Sequence, residues 1–123
     1  MEVSKKDYNK VKNLIRSSIR KAFIRSDHYR SFIDSHRIEW KDGDRKRVSY
    51  KCECCGELFK KSEIQVDHIK PIGKGVYNDI SDAPLFYKLV FCDHSNLQVL
   101  CAVCHKDKTK KEGKKPSYHN AIF

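Results

Sequence analysis

Apolar residues near the start of the chain recur at three- and four-residue steps. Tyr8, Val11, Ile15, Ile19 and Ala22/Phe23 form one stripe, and Lys5, Lys12, Arg16, Arg20 and Lys21 lie around it. The spacing predicts a helix over 4–25, without Gly or Pro, ending near Ser26-Asp27. A second, shorter helix is expected through Tyr29, Phe32 and Ile33. The period then changes. Ile38 and Trp40 precede Asp42-Gly43, and Val48 and Tyr50 follow it, which reads as a hairpin or as a loop. "EIQVDHI" (63–69) alternates and is β-branched, so a strand is expected, broken soon after by Pro71, Gly73 and Gly75. "SDAPLFYKLVF" (81–91) carries a helix start, with Ser81 or Asp82 as cap and Pro84 in the first turn. A last helix is expected from about Ala102 to Gly113, with residues 114–123 as a flexible tail.

Composition narrows the class. At 123 residues the chain is one small domain, or a domain with an extension. No apolar run approaches the ~18 residues of a membrane-spanning helix. The segment "MEVSKKDYNKVKNLIRSSIRK" has no apolar core of the signal-peptide kind. A reducing, cytoplasmic setting is therefore expected, where the six cysteines read as metal ligands rather than disulfides.

The net charge of +10 is unevenly placed. Residues 1–50 hold 14 Lys and Arg against 7 Asp and Glu, and residues 51–123 hold 12 against 9. Every Arg lies at or before Arg47. Guanidinium forks fit phosphate oxygens better than ammonium groups do, so nucleic acid is the expected partner, with Arg16, Arg20 and Arg25 as candidate contacts. A membrane surface is not expected, because no segment has a wide apolar face to insert. Core packing with a solvated basic face accounts equally well for the first helix.

Two Cys-x-x-Cys pairs are present: Cys52/Cys55 in "CECC" and Cys101/Cys104 in "CAVC". Each can place two thiolates on one tetrahedral zinc. Gly56 directly after Cys55 suits the tight turn of a metal-binding knuckle, which favours Cys55 over the alternate ligand Cys54. Such a zinc would clasp the 45 residues between Cys55 and Cys101. It could carry ~10 kcal/mol or more of folding free energy.

Four thiolates leave no place for His105 on that zinc. On a helix, residues 104 and 105 point about 100° apart, so His105 can face a different site. The candidate is "VDHIKP" (66–71), inside the clasp. Asp67 is a hard oxygen ligand suited to Mg²⁺ or Mn²⁺, and His68 beside it suits a general base. His105 would be the second protein ligand. Adjacent strand residues point to opposite faces, so a shared site requires the strand to end or twist there. Asp93-His94 is a second such dipeptide and lacks the strand context.

Together "CxxCG", "VDHI.P" and "NLQVLC..CH..KT" resemble the HNH endonucleases, specifically the small zinc-bound type encoded by bacteriophages. The likeness covers about residues 50–112. It implies an α+β fold with a ββα-metal (His-Me finger) core and a four-cysteine structural zinc. The implied organisation is a basic helical extension at 1–48, a nuclease domain at 49–113 and the tail at 114–123. By the same likeness Asp67 and His105 bind the catalytic ion and His68 is the general base. Asn96 orients the backbone beside His68, and Lys108 faces the scissile phosphate. The products would carry 5′-phosphate and 3′-hydroxyl ends. Mg²⁺ or Mn²⁺ is the expected catalytic ion, with Ni²⁺ tolerated because one ligand is imidazole. Double-stranded DNA is the expected substrate, and the chain would act as a monomer or weak dimer. Phage packaging proteins are candidate partners. The competing reading is a non-catalytic zinc-ribbon DNA-binding protein or packaging adaptor. Residues 73–95, with their aromatic helix, are a longer insert than the family pattern carries. Packing over the zinc lobe is the expected role of that helix, and a DNA or partner contact is the alternative.

Overall fold

The computed structural model describes residues 4–73 and 75–112; the tail expected at 114–123 lies outside them. Helix α1 (Lys5–Ile24) begins where the Ser4 side chain accepts the Asp7 N–H. Such a cap satisfies one of the donors that a helix start leaves unpaired. Ser26 caps the next helix, α2 (Asp27–Ser35), in the same way, its Oγ accepting from Tyr29 N at 3.1 Å. The hairpin reading is the one observed. β1 (Arg37–Asp42) pairs antiparallel with β2 (Arg45–Lys51), and Asp42 lies opposite Arg45. Gly43 takes a φ of 65°, the left-handed region that a two-residue turn requires. A short β3 (Leu58–Phe59) extends this sheet beyond β2.

The second sheet has two strands. β4 (Ile64–His68) pairs antiparallel with β5 (Leu97–Cys101) in a register from Ile64↔Cys101 to His68↔Leu97. α4 (Ala102–Glu112) follows β5 without a linker. Between the strands lie a loop, a 3-10 turn (Ile80–Asp82) and α3 (Ala83–Val90). Of the two expected cap residues, Asp82 occupies the N-cap position of α3, with Pro84 in the first turn, and Asp79 caps the 3-10 turn, accepting from Ser81 N at 2.9 Å. The result is an α+β fold whose C-terminal part is a ββα unit, as the sequence implies.

Strand alternation gives the β4–β5 pair two different faces. Val66, His68, Leu97 and Val99 turn toward the main core, and all four are buried. Phe23, Phe32, Ile33, Tyr50, Phe86 and Val90 complete that core. Gln65, Asp67, Gln98 and Leu100 occupy the other face, and α4 packs against the pair. A smaller cluster joins Cys52, Leu100 and Cys101 with Phe59 and Cys104.

The main core takes residues from both sides of the expected 48/49 boundary, and β2 runs across it. α3 lies in this core against α1, not over the zinc lobe as expected, because Phe86 and Val90 are its inward residues. The apolar stripe of α1 is buried only at its end. Phe23 is fully buried, Ile15 and Ile19 are half-buried, and Val11 is exposed. The first turns of α1 are instead anchored by polar groups. Tyr8 donates to the Asp79 carboxylate, Lys12 Nζ donates to Asn78 O at 3.2 Å, and Tyr77 donates to Lys12 O at 2.8 Å. Hydrogen bonds from the Ser81 and Tyr8 hydroxyls hold the Asp79 carboxyl down at about 2.

Phe23 meets Tyr29 and Phe91 edge-on, with centroids 5.3 and 5.2 Å away, and lies 5.9 Å from the His68 ring. Phe23→Ala is expected to cost about 3–5 kcal/mol, because the surrounding side chains cannot collapse fully into so large a cavity. Urea unfolding checks this, and a loss below about 1 kcal/mol would show that α1 is not part of the core.

Candidate metal centres and active site

The first knuckle forms where β2 ends. Gly56, at φ 78°, turns the chain so that its N–H reaches Cys52 O at 2.9 Å. Cys55 N–H points at Cys52 Sγ across 3.5 Å. The second knuckle is the β5–α4 junction, where Cys104 N–H approaches Cys101 Sγ at the same distance. The sulfurs of Cys52, Cys55, Cys101 and Cys104 all lie within 4.8 Å of one another. A tetrahedral zinc with ~2.3 Å bonds needs sulfurs about 3.8 Å apart, so the group fits one ion after a small contraction. Cys54 is exposed and outside this group. Burial pushes the Cys52 thiol up, but backbone N–H donors at Cys55, Cys101 and Cys54 outweigh it and bring the group to about 6. The Cys104 thiol is pushed up, first by its hydrogen bond with Cys101 and then by burial. Its proton must therefore leave when a metal binds.

Glu53 ties the knuckles together. Its carboxylate accepts from Val99 N, and its own N–H donates to Val99 O at 2.8 Å. The first knuckle is thus tied to β5, two residues before Cys101.

His105 lies outside the thiolate group. Its Nε2 stands 3.6 Å from Asp67 Oδ1, across the gap between α4 and β4. Both side chains are mostly buried, at 16% and 12% exposure, so water screens them little. Two ligands at right angles on an octahedral ion at ~2.1 Å stand about 3.0 Å apart, so a shift of about half an ångström seats one cation on both. The pair offers one hard oxygen and one imidazole nitrogen, a donor set that suits Mg²⁺, Mn²⁺ or Ni²⁺.

Lys108 joins this pair one helical turn further on. Its Nζ lies 3.0 Å from Asp67 Oδ2 and donates to His68 O at 3.1 Å. It also contacts Glu112 Oε2. Gln98 Nε2 donates to Asp67 Oδ2 at 3.0 Å from the neighbouring strand. Gln98 and Glu112 are not among the residues singled out from sequence. Glu112 repeats the helical step His105–Lys108–Glu112, a signal present in the chain. Gln98 needs the strand register, which places it directly opposite Asp67.

His68 points the other way. It is 4% exposed, faces the core beside Phe23, and its Nε2–H donates to Val90 O at 3.0 Å. A carbonyl only accepts, so a neutral ring carries its lone pair on Nδ1. Burial lowers its pKa from the usual histidine value, chiefly by desolvation. Asn96 does grip the segment after β4: its Oδ1 accepts from Lys70 N at 2.9 Å and its backbone O accepts from Ile69 N at 2.8 Å.

Asp93 and His94 are engaged structurally. Asp93 caps a 3-10 turn through Ser95 N, and His94 Nε2 contacts His28 O at 2.8 Å. Of the three arginines, Arg16 lies over the Phe86 ring at 5.6 Å. Arg20 is half-buried, and burial followed by the Arg16 charge lowers its pKa. Arg25 is exposed at the C-terminal end of α1. No helix among the described residues is long and apolar enough to cross a membrane.

A family model described as HNH endonuclease matches residues 52–85. The matched stretch contains the first knuckle, Asp67 and His68, and bears out the family resemblance read from the motifs. No curated protein and no solved structure matches the chain.

Cys101→Ser removes one of the four donors at the strand–helix junction. Metal content by mass spectrometry is expected to fall well below one ion per chain. Losing even ~3 kcal/mol would lower the melting temperature by more than ~10 °C in a domain of this size. Unchanged metal content and melting would sink the clasp.

Proposed function

We propose that this protein is a divalent-metal-dependent HNH DNA endonuclease of low sequence specificity. The observation that carries the reading is the convergence of Asp67, His105 and Lys108 between β4 and α4, beside a four-thiol cluster, in a chain whose residues 52–85, Asp67 included, match an HNH endonuclease model. The thiol cluster would hold Zn²⁺ as a structural ion. Asp67 and His105 would hold Mg²⁺, Mn²⁺ or Ni²⁺. That ion would supply charge neutralisation at the scissile phosphate and the leaving oxygen.

The remaining work falls to the chain. His68 takes a proton from the attacking water, with Nδ1 as the accepting atom because Nε2–H is committed to Val90 O. In this structure the ring is 4% exposed on the core-facing side of β4, opposite Asp67, so this role requires the ring to become open to water. Lys108 guides the substrate phosphate once it leaves Asp67. In-line attack with departure of the 3′ oxygen leaves 5′-phosphate and 3′-hydroxyl ends. One site cuts one strand, so a monomer nicks, and a double-strand break takes a dimer or a second encounter. A four-thiolate site persists in a reducing compartment, which fits the cytoplasm of a phage-infected host.

A second reading is a zinc-ribbon DNA-binding protein, or an adaptor for phage packaging proteins, in which the Asp67–Lys108 pair is purely structural. The burial of His68 favours it.

Supercoiled plasmid incubated with zinc-replete protein and Mg²⁺, Mn²⁺ or Ni²⁺ separates the two. Nicking is expected, and His68→Ala should slow it on the order of 10²-fold or more, the usual contribution of a general base. Plasmid that is bound but never nicked would favour the second reading, as would a His68→Ala variant as fast as the parent.

Lys108 and a divalent cation compete for the same carboxylate. Lys108→Met is therefore expected to tighten Mn²⁺ binding about tenfold or more, equivalent to ~1.4 kcal/mol, in calorimetric titration. Asp67→Asn should abolish that binding. Equal affinity in parent and Lys108→Met would place the cation elsewhere.

A further inference from the structure

We infer that the β1–β2 hairpin is a DNA-gripping arm that lies along a groove of the duplex beside the cleavage site. The inference rests on duplex DNA being the substrate class. It names an element that neither the family match nor the motif reading assigns to DNA.

Core packing does not explain this hairpin. All six residues of β1 are exposed, and β1 is an edge strand that pairs with β2. Only the root of the hairpin is buried, at Ser49 and Tyr50. Apolar side chains nonetheless occur along it: Ile38, Trp40 and Val48 are 37–42% exposed. A ribbon that projects from the body would ordinarily be polar on both faces.

Its charge points to an anion. Residues 37–48 carry Arg37, Lys41, Arg45, Lys46 and Arg47 against Glu39, Asp42 and Asp44. Glu39 is paired with Arg37 at 3.3 Å, and Asp42 with Arg47 at 3.4 Å. Among the described residues, Lys41, Arg45 and Lys46 have no ion-pair partner. Lys41 lies directly opposite Lys46 in the register. Like charges in that position repel and weaken the hairpin. A polyanion binding there would turn the repulsion into a pair of phosphate contacts.

Shape separates DNA from other polyanions. The register runs from Arg37↔Tyr50 to Asp42↔Arg45, a ribbon roughly 17–20 Å long at ~3.4 Å per residue. A two-stranded ribbon fits the ~12 Å major groove. Trp40 lies opposite Arg47, and its Nε1–H donates to Ser49 Oγ at 2.8 Å, which fixes the indole on one face. Alternation puts the indole on the face of Arg45 and Arg47, where it suits sugar and base edges, and leaves Lys41 and Lys46 on the opposite face to engage phosphate. An acidic protein segment would need the cations but not the groove-sized ribbon.

Trp40 is the sole tryptophan, so its emission reports on the arm alone. The experiment uses the full chain, zinc-replete and carrying Asp67→Asn so that no DNA is cut, with a labelled duplex. Duplex is expected to quench or shift the emission in a salt-reversible way. In the same background, Lys41→Ala/Lys46→Ala should weaken duplex affinity about tenfold or more near ~100 mM salt. It should also flatten the log–log salt dependence by about 2, as loss of two phosphate contacts requires. Melting of the variant should be no lower than that of the parent, since the substitution removes the Lys41–Lys46 repulsion.

Unchanged emission together with unchanged affinity would overturn the arm. So would a variant that loses affinity for polyglutamate while keeping its affinity for duplex, which would mark an acidic-protein surface. The outcome is separable from the nuclease reading. Hairpin-dependent binding without plasmid nicking would keep the arm and remove the enzyme. Nicking with hairpin-independent binding would do the reverse.

Discussion

Four cysteine sulfurs within 4.8 Å of one another bring the knuckle after β2 to the junction of β5 and α4, and a metal ion held by them would fix the position of α4. α4 has no buried residue, so an apolar face does not fix its place. What seats it is the thiol cluster at its first turn and the ion pairs of His105 and Lys108 with Asp67 further along. A small chain with a thin core gains most from such a cross-link, because a metal fixes long-range geometry that few apolar contacts could hold.

The candidate site balances charge in a poorly hydrated gap. Asp67 accepts from Gln98 and Lys108 and faces His105. Glu112 draws on the same ammonium from the far side. An isolated carboxylate at 12% exposure would be costly, and Lys108 offsets that cost. The same arrangement suits exchange, since a divalent ion at Asp67 would free a lysine already aimed along the site.

The N-terminal half has two roles in this architecture. The end of α1 completes the core through Phe23, close to the His68 ring, so it supports the same strand that carries Asp67. The hairpin that follows stays outside the core and carries its charge into solvent. Arg16 leans over Phe86 of α3 and Arg20 is half-buried within reach of the Arg16 charge, whereas among the described residues Lys41, Arg45 and Lys46 of the hairpin have no ion-pair partner.

Much of this was legible in the chain alone. The first two helices announced themselves through apolar steps, and the two Cys-x-x-Cys pairs named the thiol cluster because ligand spacing is a local property. The HNH likeness of the motif string also needed no coordinates. Tertiary structure decided what depends on faces and registers. Alternation turned Asp67 toward α4 and His68 into the core, although the two are neighbours in sequence. Strand pairing set Gln98 opposite Asp67, and helix packing carried α3 into the α1 core instead of the zinc lobe. The physical reason is that residue type and spacing specify which chemistry is available. Which groups meet is settled by burial and pairing across long stretches of chain, and that competition is won only in the folded molecule.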